Sequence, residues 1–248
     1  MYKAVEKAGV IHLVGHQMRF QLQKIAVKKI LENGDLGRIL HVTLDYSTSN
    51  RIDPGLPWNW WSDIKKGGGQ LYTMGSHQID LLRWWFGEVK WVNGELKTVT
   101  DQRRDLKSNK LRKVTSDEIA SFQLGFENGV FASCVVSSVA IGWKGPSIQI
   151  YGEKGSLFLE GEQNLTMFRK TTTVHDLSIK DPLLMEGWVS GSEWRASFTR
   201  MADDFLHSIR DGRPVGGATF GDGLKTHRAM EAIRQSSQEK RRVEIRQL

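Results

Sequence analysis

Gly67-Gly68-Gly69-Gln70-Leu71-Tyr72-Thr73-Met74-Gly75-Ser76-His77-Gln78-Ile79-Asp80-Leu81-Leu82-Arg83-Trp84-Trp85-Phe86-Gly87 is the stretch around which the chain is organised. Three glycines run into a segment with helical spacing. Leu71, Met74, Ile79, Leu82, Trp85 and Phe86 recur at separations of three and four, give or take one position. Gly87 then predicts the helix stop. On such a helix Gly69, Thr73, His77, Asp80 or Leu81, and Trp84 share one side. That side carries a hydroxyl, an imidazole and, in one phase, a carboxylate. Glycine has no Cβ, so another backbone or a ligand approaches closely there. The pattern predicts a helix at the wall of a site, apolar behind and polar in front.

Downstream of Gly87 the period changes to that of strands. Candidate strands cover 89–99, 115–126, 130–140, 146–152, 155–160 and 164–170. Glu127-Asn128-Gly129 and Gly152-Glu153-Lys154-Gly155 read as hairpin turns between them. Strands joined largely by hairpins predict a mostly antiparallel sheet. Residues 171–193 are polar and glycine-rich and predict a long loop. Two helices, 193–211 and 222–238, and a short strand at Val243 and Ile245 close the chain. Upstream, 21–32 is an amphipathic helix, 38–46 an alternating strand, and 47–56 a loop leading to Trp58, Trp60 and Trp61. The fold class is α+β: a large, mostly antiparallel open sheet with helices packed on one face. Residues 2–8 read as the last turns of a helix and 10–14 as a buried strand. A helix stub and one strand read as the tail of an αβ unit, so the main domain is placed at 16–248.

The 248 residues carry a net charge of +7, with lysine and arginine scattered along the chain. No basic helix with base-reading residues, zinc spacing or aromatic ribonucleoprotein motif is present, which argues against nucleic acid as a partner. The run from Arg103 to Lys113 reads as a solvated hairpin. No apolar run reaches the ~20 residues that span a bilayer, and the N-terminus lacks a signal-peptide core. The single cysteine, Cys134, lies in an apolar alternating segment and reads as buried and inert. One cysteine excludes an internal disulfide and fits a cytoplasmic setting. The seven histidines are scattered and no H-E-x-x-H occurs, so no metal site is expected. Neither G-x-G-x-x-G nor G-x-x-x-x-G-K-[ST] occurs, so the chain has no nucleotide fingerprint of its own.

His77 is the catalytic candidate, because an imidazole exchanges protons near neutral pH. The alternative is a core histidine bonded to a backbone carbonyl. Asp80 orients His77, binds a substrate hydroxyl, or is solvated. Thr73 holds a hydroxyl or bonds back to its own turn. The clustered tryptophans flank a sugar-like substrate or fill the core.

The ordered set His16-Gln17-Met18-Arg19-Phe20, Asn33-Gly34-Asp35-Leu36-Gly37-Arg38-Ile39, Gly67-Gly68-Gly69 and Gly75-Ser76-His77-Gln78-Ile79-Asp80-Leu81-Leu82-Arg83-Trp84 resembles the glucose–fructose oxidoreductase / inositol dehydrogenase family. Asn128-Gly129, Gly152-Glu153-Lys154-Gly155, Gly212-Arg213-Pro214 and Asp222-Gly223-Leu224 continue the match over roughly residues 2–248. The resemblance implies an oxidoreductase of sugars, cyclitols and related hydroxy compounds that uses NAD or NADP. It implies a Rossmann domain before this one, with residues 1–15 as its remnant. The cofactor loop and the family's Glu-Lys-Pro lysine would lie upstream, leaving no cofactor-binding residue in this chain and no activity for the chain alone. It implies His77 as the catalytic residue, with Thr73, Asp80, Arg19, Trp61 and Tyr72 at the substrate. It also implies a homodimer or homotetramer built through the open sheet. The family usually has Asp where this chain has Thr73. That departure raises an alternative, a non-catalytic, ligand-sensing regulatory protein of the same fold.

Overall fold

The computed structural model describes residues 1–142, 145–169, 174–184 and 192–245. The strands are β1 (Ile39–Ser47), β2 (Val89–Lys97), β3 (Gln102–Arg104), β4 (Leu111–Lys113), β5 (Ile119–Phe126), β6 (Phe131–Ser137), β7 (Ser147–Gly152), β8 (Gly155–Glu160), β9 (Asn164–Arg169), β10 (Val174–Asp176) and β11 (Val243–Glu244). The helices are α1 (Tyr2–Ala8), α2 (Leu22–Glu32), α3 (Ser76–Phe86), α4 (Ser192–Asp211) and α5 (Phe220–Glu239). Nine strands form one open sheet in the order β10-β9-β8-β7-β1-β6-β5-β2-β11, and β3 and β4 form a separate hairpin.

Alternation sets the two faces of the sheet. Val42 and Leu44 of β1, Phe122 and Leu124 of β5, Cys134 and Val136 of β6, and Ile148 and Ile150 of β7 point to the helices and are buried. Leu81, Leu82, Trp85 and Phe86 of α3 and Met230 and Ile233 of α5 meet them in one core. Cys134 is buried there, and burial raises its thiol well above the ordinary range, so it is inert as expected. The opposite face carries Thr43, Gln123, Ser133 and Gln149 around a shallow depression of about 410 Å³.

The α+β class and the antiparallel sheet agree with the expectation, with one exception in its middle. β1 runs parallel to β6, with Val42 opposite Ala132, and antiparallel to β7. Alternation in β1 specifies which residues face the core but not the direction of a distant neighbour. Two further expectations are corrected. Residues 10–14 form no strand: the segment is extended and is tied to the body where Val14 N donates to Ala218 O at 2.7 Å. An apolar run with no adjacent strand has no ladder to join. Residues 171–193 are not all loop, since 174–176 make β10 against β9. Residues 171–173 and 185–191 of that predicted loop, and residue 170 of the predicted strand before it, lie outside the described residues.

Candidate functional site

The glycine-rich stretch is built by close backbone packing. A Cβ at Gly68 would lie 2.2 Å from Trp61 O, and one at Gly69 2.3 Å from Asp117 Oδ1. Gly69 also has φ of +105°, a conformation that side chains rarely adopt. The close approach expected of these glycines is therefore made by another backbone and by a carboxylate. Asp117 holds the start of the helical segment from across the chain. Leu71 N donates to its Oδ2 at 2.8 Å, and Gln70 N donates to its backbone O at 2.9 Å. These are N–H groups that the first turn leaves unsatisfied. The segment opens as a π-helical turn over Leu71–Gly75 and continues as α3. Such widened turns recur at functional positions.

Asp117 is buried, and its Oδ1 has no hydrogen-bond partner. Burial pushes its carboxyl up to about 6 from an ordinary 3.8. The folded protein thus holds this proton more tightly than the unfolded chain, and stability falls as pH rises from about 4 to about 6. The whole effect is ~3 kcal/mol. His77 acts in the opposite sense. Its value of about 4 lies below the ordinary 6.5, so stability falls as pH drops through an overlapping window. The two contributions offset each other in the whole protein, and a variant separates them. For Asp117→Asn, the unfolding free energy relative to wild type is expected to rise by ~3 kcal/mol between about pH 4 and about pH 7. Urea titrations across that range measure it. A difference that does not change with pH would contradict the account.

His77 sits on α3 with its Nδ1 enclosed and without a partner. Its ring stands edge-on to two others, His16 at 5.3 Å and 83° and Trp194 at 5.1 Å and 86° between centroids and planes. Burial lowers its value most, with help from His16 and Lys24 and against the pull of Asp80. The imidazole is therefore uncharged through the physiological range.

Arg19 and Asp80 are placed together, but in a buried ion pair. Asp80 accepts from Arg19 Nε at 2.8 Å and from Nη2 at 2.7 Å, and the two residues are 8% and 1% exposed. Asp222 stands 3.3 Å from Arg19, and Arg83 lies 3.9 Å from both Asp80 and Asp222. Arg83 also pairs with Glu88, which pairs with Lys225. Three cations alternate with three anions, and the network joins the 3-10 turn Gln17–Phe20, α3 and the start of α5. These side chains tie the three elements to one another.

Thr73 Oγ1 donates to Gly69 O at 2.7 Å and accepts from Trp61 Nε1 at 3.4 Å. Its hydroxyl bonds back to its own turn, one of the two outcomes expected, and also fixes the indole. Arg51 lies over the Trp61 ring at 4.4 Å. Tyr72 points elsewhere: its hydroxyl donates to Glu231 of α5 and is pushed up to about 12 by burial and by that carboxylate. Trp61 is thus held to Thr73, and His77 follows Thr73 by four positions along the same helical run. Arg19 and Asp80 are paired with each other in the interior, and Tyr72 is tied to α5.

Three residues that shape the site were not singled out from the sequence: His16, Trp194 and Asp117. His16 lies between predicted elements, Trp194 in the first turn of a predicted helix, and Asp117 at the start of a predicted strand. None carries a local pattern that reveals a contact made across the fold.

The fold is shared with dehydrogenases of known structure. A levoglucosan dehydrogenase superposes with a TM-score of 0.88 at 23% identity, over 100% of this chain and 70% of that one. Its complexes with NADH and levoglucosan, or with NADH and L-sorbose, superpose with TM-scores of 0.86. The GFO/IDH/MocA C-terminal domain profile matches residues 25–158. An uncharacterized oxidoreductase of Synechocystis sp. is 30% identical over 99% of this chain and 68% of its own length. The mouse glucose-fructose oxidoreductase domain-containing protein 1 is 27% identical over 92% of this chain and 62% of its own length. The chain belongs to the GFO/IDH/MocA oxidoreductase family. It thus spans about two thirds of the length of the curated relatives it matches.

Proposed function

We propose that this chain is the substrate-binding and oligomerisation part of an NAD(P)-dependent oxidoreductase acting on CH–OH groups of a sugar, cyclitol or related hydroxy compound, in the cytoplasm. The observation that carries the reading is the uncharged, enclosed His77 on a wall with Thr73 and Trp61. His77 hydrogen-bonds the oxygen that changes between carbinol and carbonyl and assists its proton transfer. Trp61 offers its indole to the C–H face of a polyol. Arg19 and Asp80 keep the wall in place from behind. When bound, NAD(P) supplies the hydride chemistry.

The glycine-rich stretch does not fit the dinucleotide. The spaces at Gly68 and Gly69 are filled by Trp61 O and the Asp117 carboxyl, both of which repel a pyrophosphate. We therefore propose that the chain alone neither binds NAD(P) nor turns over substrate. Calorimetric titration of the 248-residue chain with NADH and NADPH is expected to give no binding. Micromolar affinity for either would overturn this.

The open face of the sheet, polar at its centre, has aromatic flanks: Tyr151, Phe158 and Phe168 on one side, Trp91 and Phe131 on the other. That composition suits an interface between copies. A homodimer or homotetramer is expected by light scattering of the same sample, and a monomer at micromolar concentration speaks against it. A second reading, a ligand-sensing regulator of the same fold, is favoured by one observation. Thr73 stands where the family resemblance leads one to expect a carboxylate, and its hydroxyl is already engaged.

A further inference from the structure

We propose that His16 is a positioning residue for His77: it packs its ring against the His77 imidazole, holds it in one orientation and one tautomer, and keeps a second positive charge out of the pocket. The inference rests on reading His77 as the group that meets the reacting oxygen.

Three observations carry it. First, the rings meet at nearly a right angle, 5.3 Å between centroids, and Trp194 meets His77 in the same way from α4. Edge-to-face contacts of this kind fix ring orientation. Second, Nδ1 is enclosed in both imidazoles with no partner among the described residues. An orphaned buried N–H is rarer than an under-used acceptor. Each neutral ring therefore leaves a lone pair at Nδ1 and carries its proton on Nε2. His77 then presents an N–H donor at Nε2.

Third, the charged surroundings of the two rings differ. His77 is faced by His16 from the 3-10 turn, Asp80 from its own helix and Lys24 from α2. Lys24 is held by Gln21 and by Glu162, the latter at 2.8 Å. His16 is faced by Asp80 and Arg83 from α3, Arg19 from its own turn and Asp222 from α5. His16 thus stands nearer to the network of alternating charges, and a proton on it opposes a proton on His77. Two imidazoles this close titrate as a coupled pair. A packing role alone would be served equally by an apolar ring and would leave the behaviour of His77 unchanged.

The test is two-bond 1H–15N correlation of the histidine rings in the uniformly labelled full chain, titrated across the acid to neutral range. His77→Gln assigns the signals. In wild type, His77 is expected as a single Nε2–H tautomer that stays uncharged until about 4. In His16→Phe the ring contact survives and the competing charge does not. One tautomer is then expected, with a midpoint moved up toward the ordinary imidazole range. In His16→Gln the contact is lost as well, and averaged nitrogen shifts of a mixed tautomer are expected. If the tautomer and midpoint of His77 match wild type in folded His16→Phe, the inference fails. Should His16→Gln not fold, His16→Phe decides alone. The spectra need neither substrate nor cofactor, so their failure leaves the oxidoreductase reading intact, and an inactive enzyme leaves this inference intact.

Discussion

Joined to a nucleotide-binding domain and supplied with the carbonyl form of its substrate, the His77→Gln variant is expected to lose about 10²–10⁴-fold in kcat, the usual contribution of a positioned proton-transfer group. The Michaelis constant should move little, because glutamine still offers hydrogen bonds to the substrate oxygen. The effect originates in the enclosure of the ring. His16 and Trp194 exclude water from two sides, and burial keeps the imidazole neutral. A neutral donor in a dry site interacts strongly with developing charge on an oxygen. Steady-state kinetics in the reducing direction, with NAD(P)H consumption as the readout, measures the effect. A loss smaller than about tenfold removes His77 from proton handling and favours the ligand-sensing reading.

The second large effect is on stability. Asp80→Ala is expected to destabilise the fold by about 3–5 kcal/mol, because it leaves Arg19 buried without its bidentate partner. Among the described residues Arg19 then keeps only Asp222, at 3.3 Å, as an anionic partner, and Arg83 adds repulsion where Asp80 separated the two guanidinium groups. Denaturant unfolding measures the loss, with the slope of the transition as a check that the unfolded state is unchanged. The double variant Arg19→Met with Asp80→Leu is expected to recover most of it, since a buried pair replaced by apolar residues of similar volume is often neutral. A single-variant loss below about 1 kcal/mol would show that the pair is solvated in solution.

These effects also show what a linear chain reveals. The helix of the site was legible because Ile79, Leu82, Trp85 and Phe86 recur with helical spacing, and all four are buried where that spacing put them. The strands were legible because a sheet with one covered face imposes alternation. Three features were not. The π-helical turn over Leu71–Gly75 depends on Asp117 reaching back from 46 residues away, and no periodicity records it. The pairing of Arg19 with Asp80 spans 61 residues. From sequence each looked like a free polar group facing a substrate, and their mutual geometry exists only once the 3-10 turn packs beside α3. The glycines were recognised as a place of close approach, but only the fold shows that Trp61 O and Asp117 make it. Local chemistry was readable, whereas the partner of each polar group was not.

The parallel pairing of β1 with β6 has a consequence for synthesis on the ribosome. β1 is the first strand of this sheet to emerge, yet its two neighbours are β6 and β7. Val42 meets Ala132 and Ile150, and the first of these follows about 90 residues later. At translation rates of about 5–20 residues per second, β1 waits roughly 5–20 s with both edges open. Hairpins such as β5–β6 and β7–β8 close as soon as they are made, but the seam between them stays unfilled until β1 is inserted. The nascent chain therefore carries an apolar strand in need of shelter, and the centre of the sheet is sealed by the first of its own strands to be made.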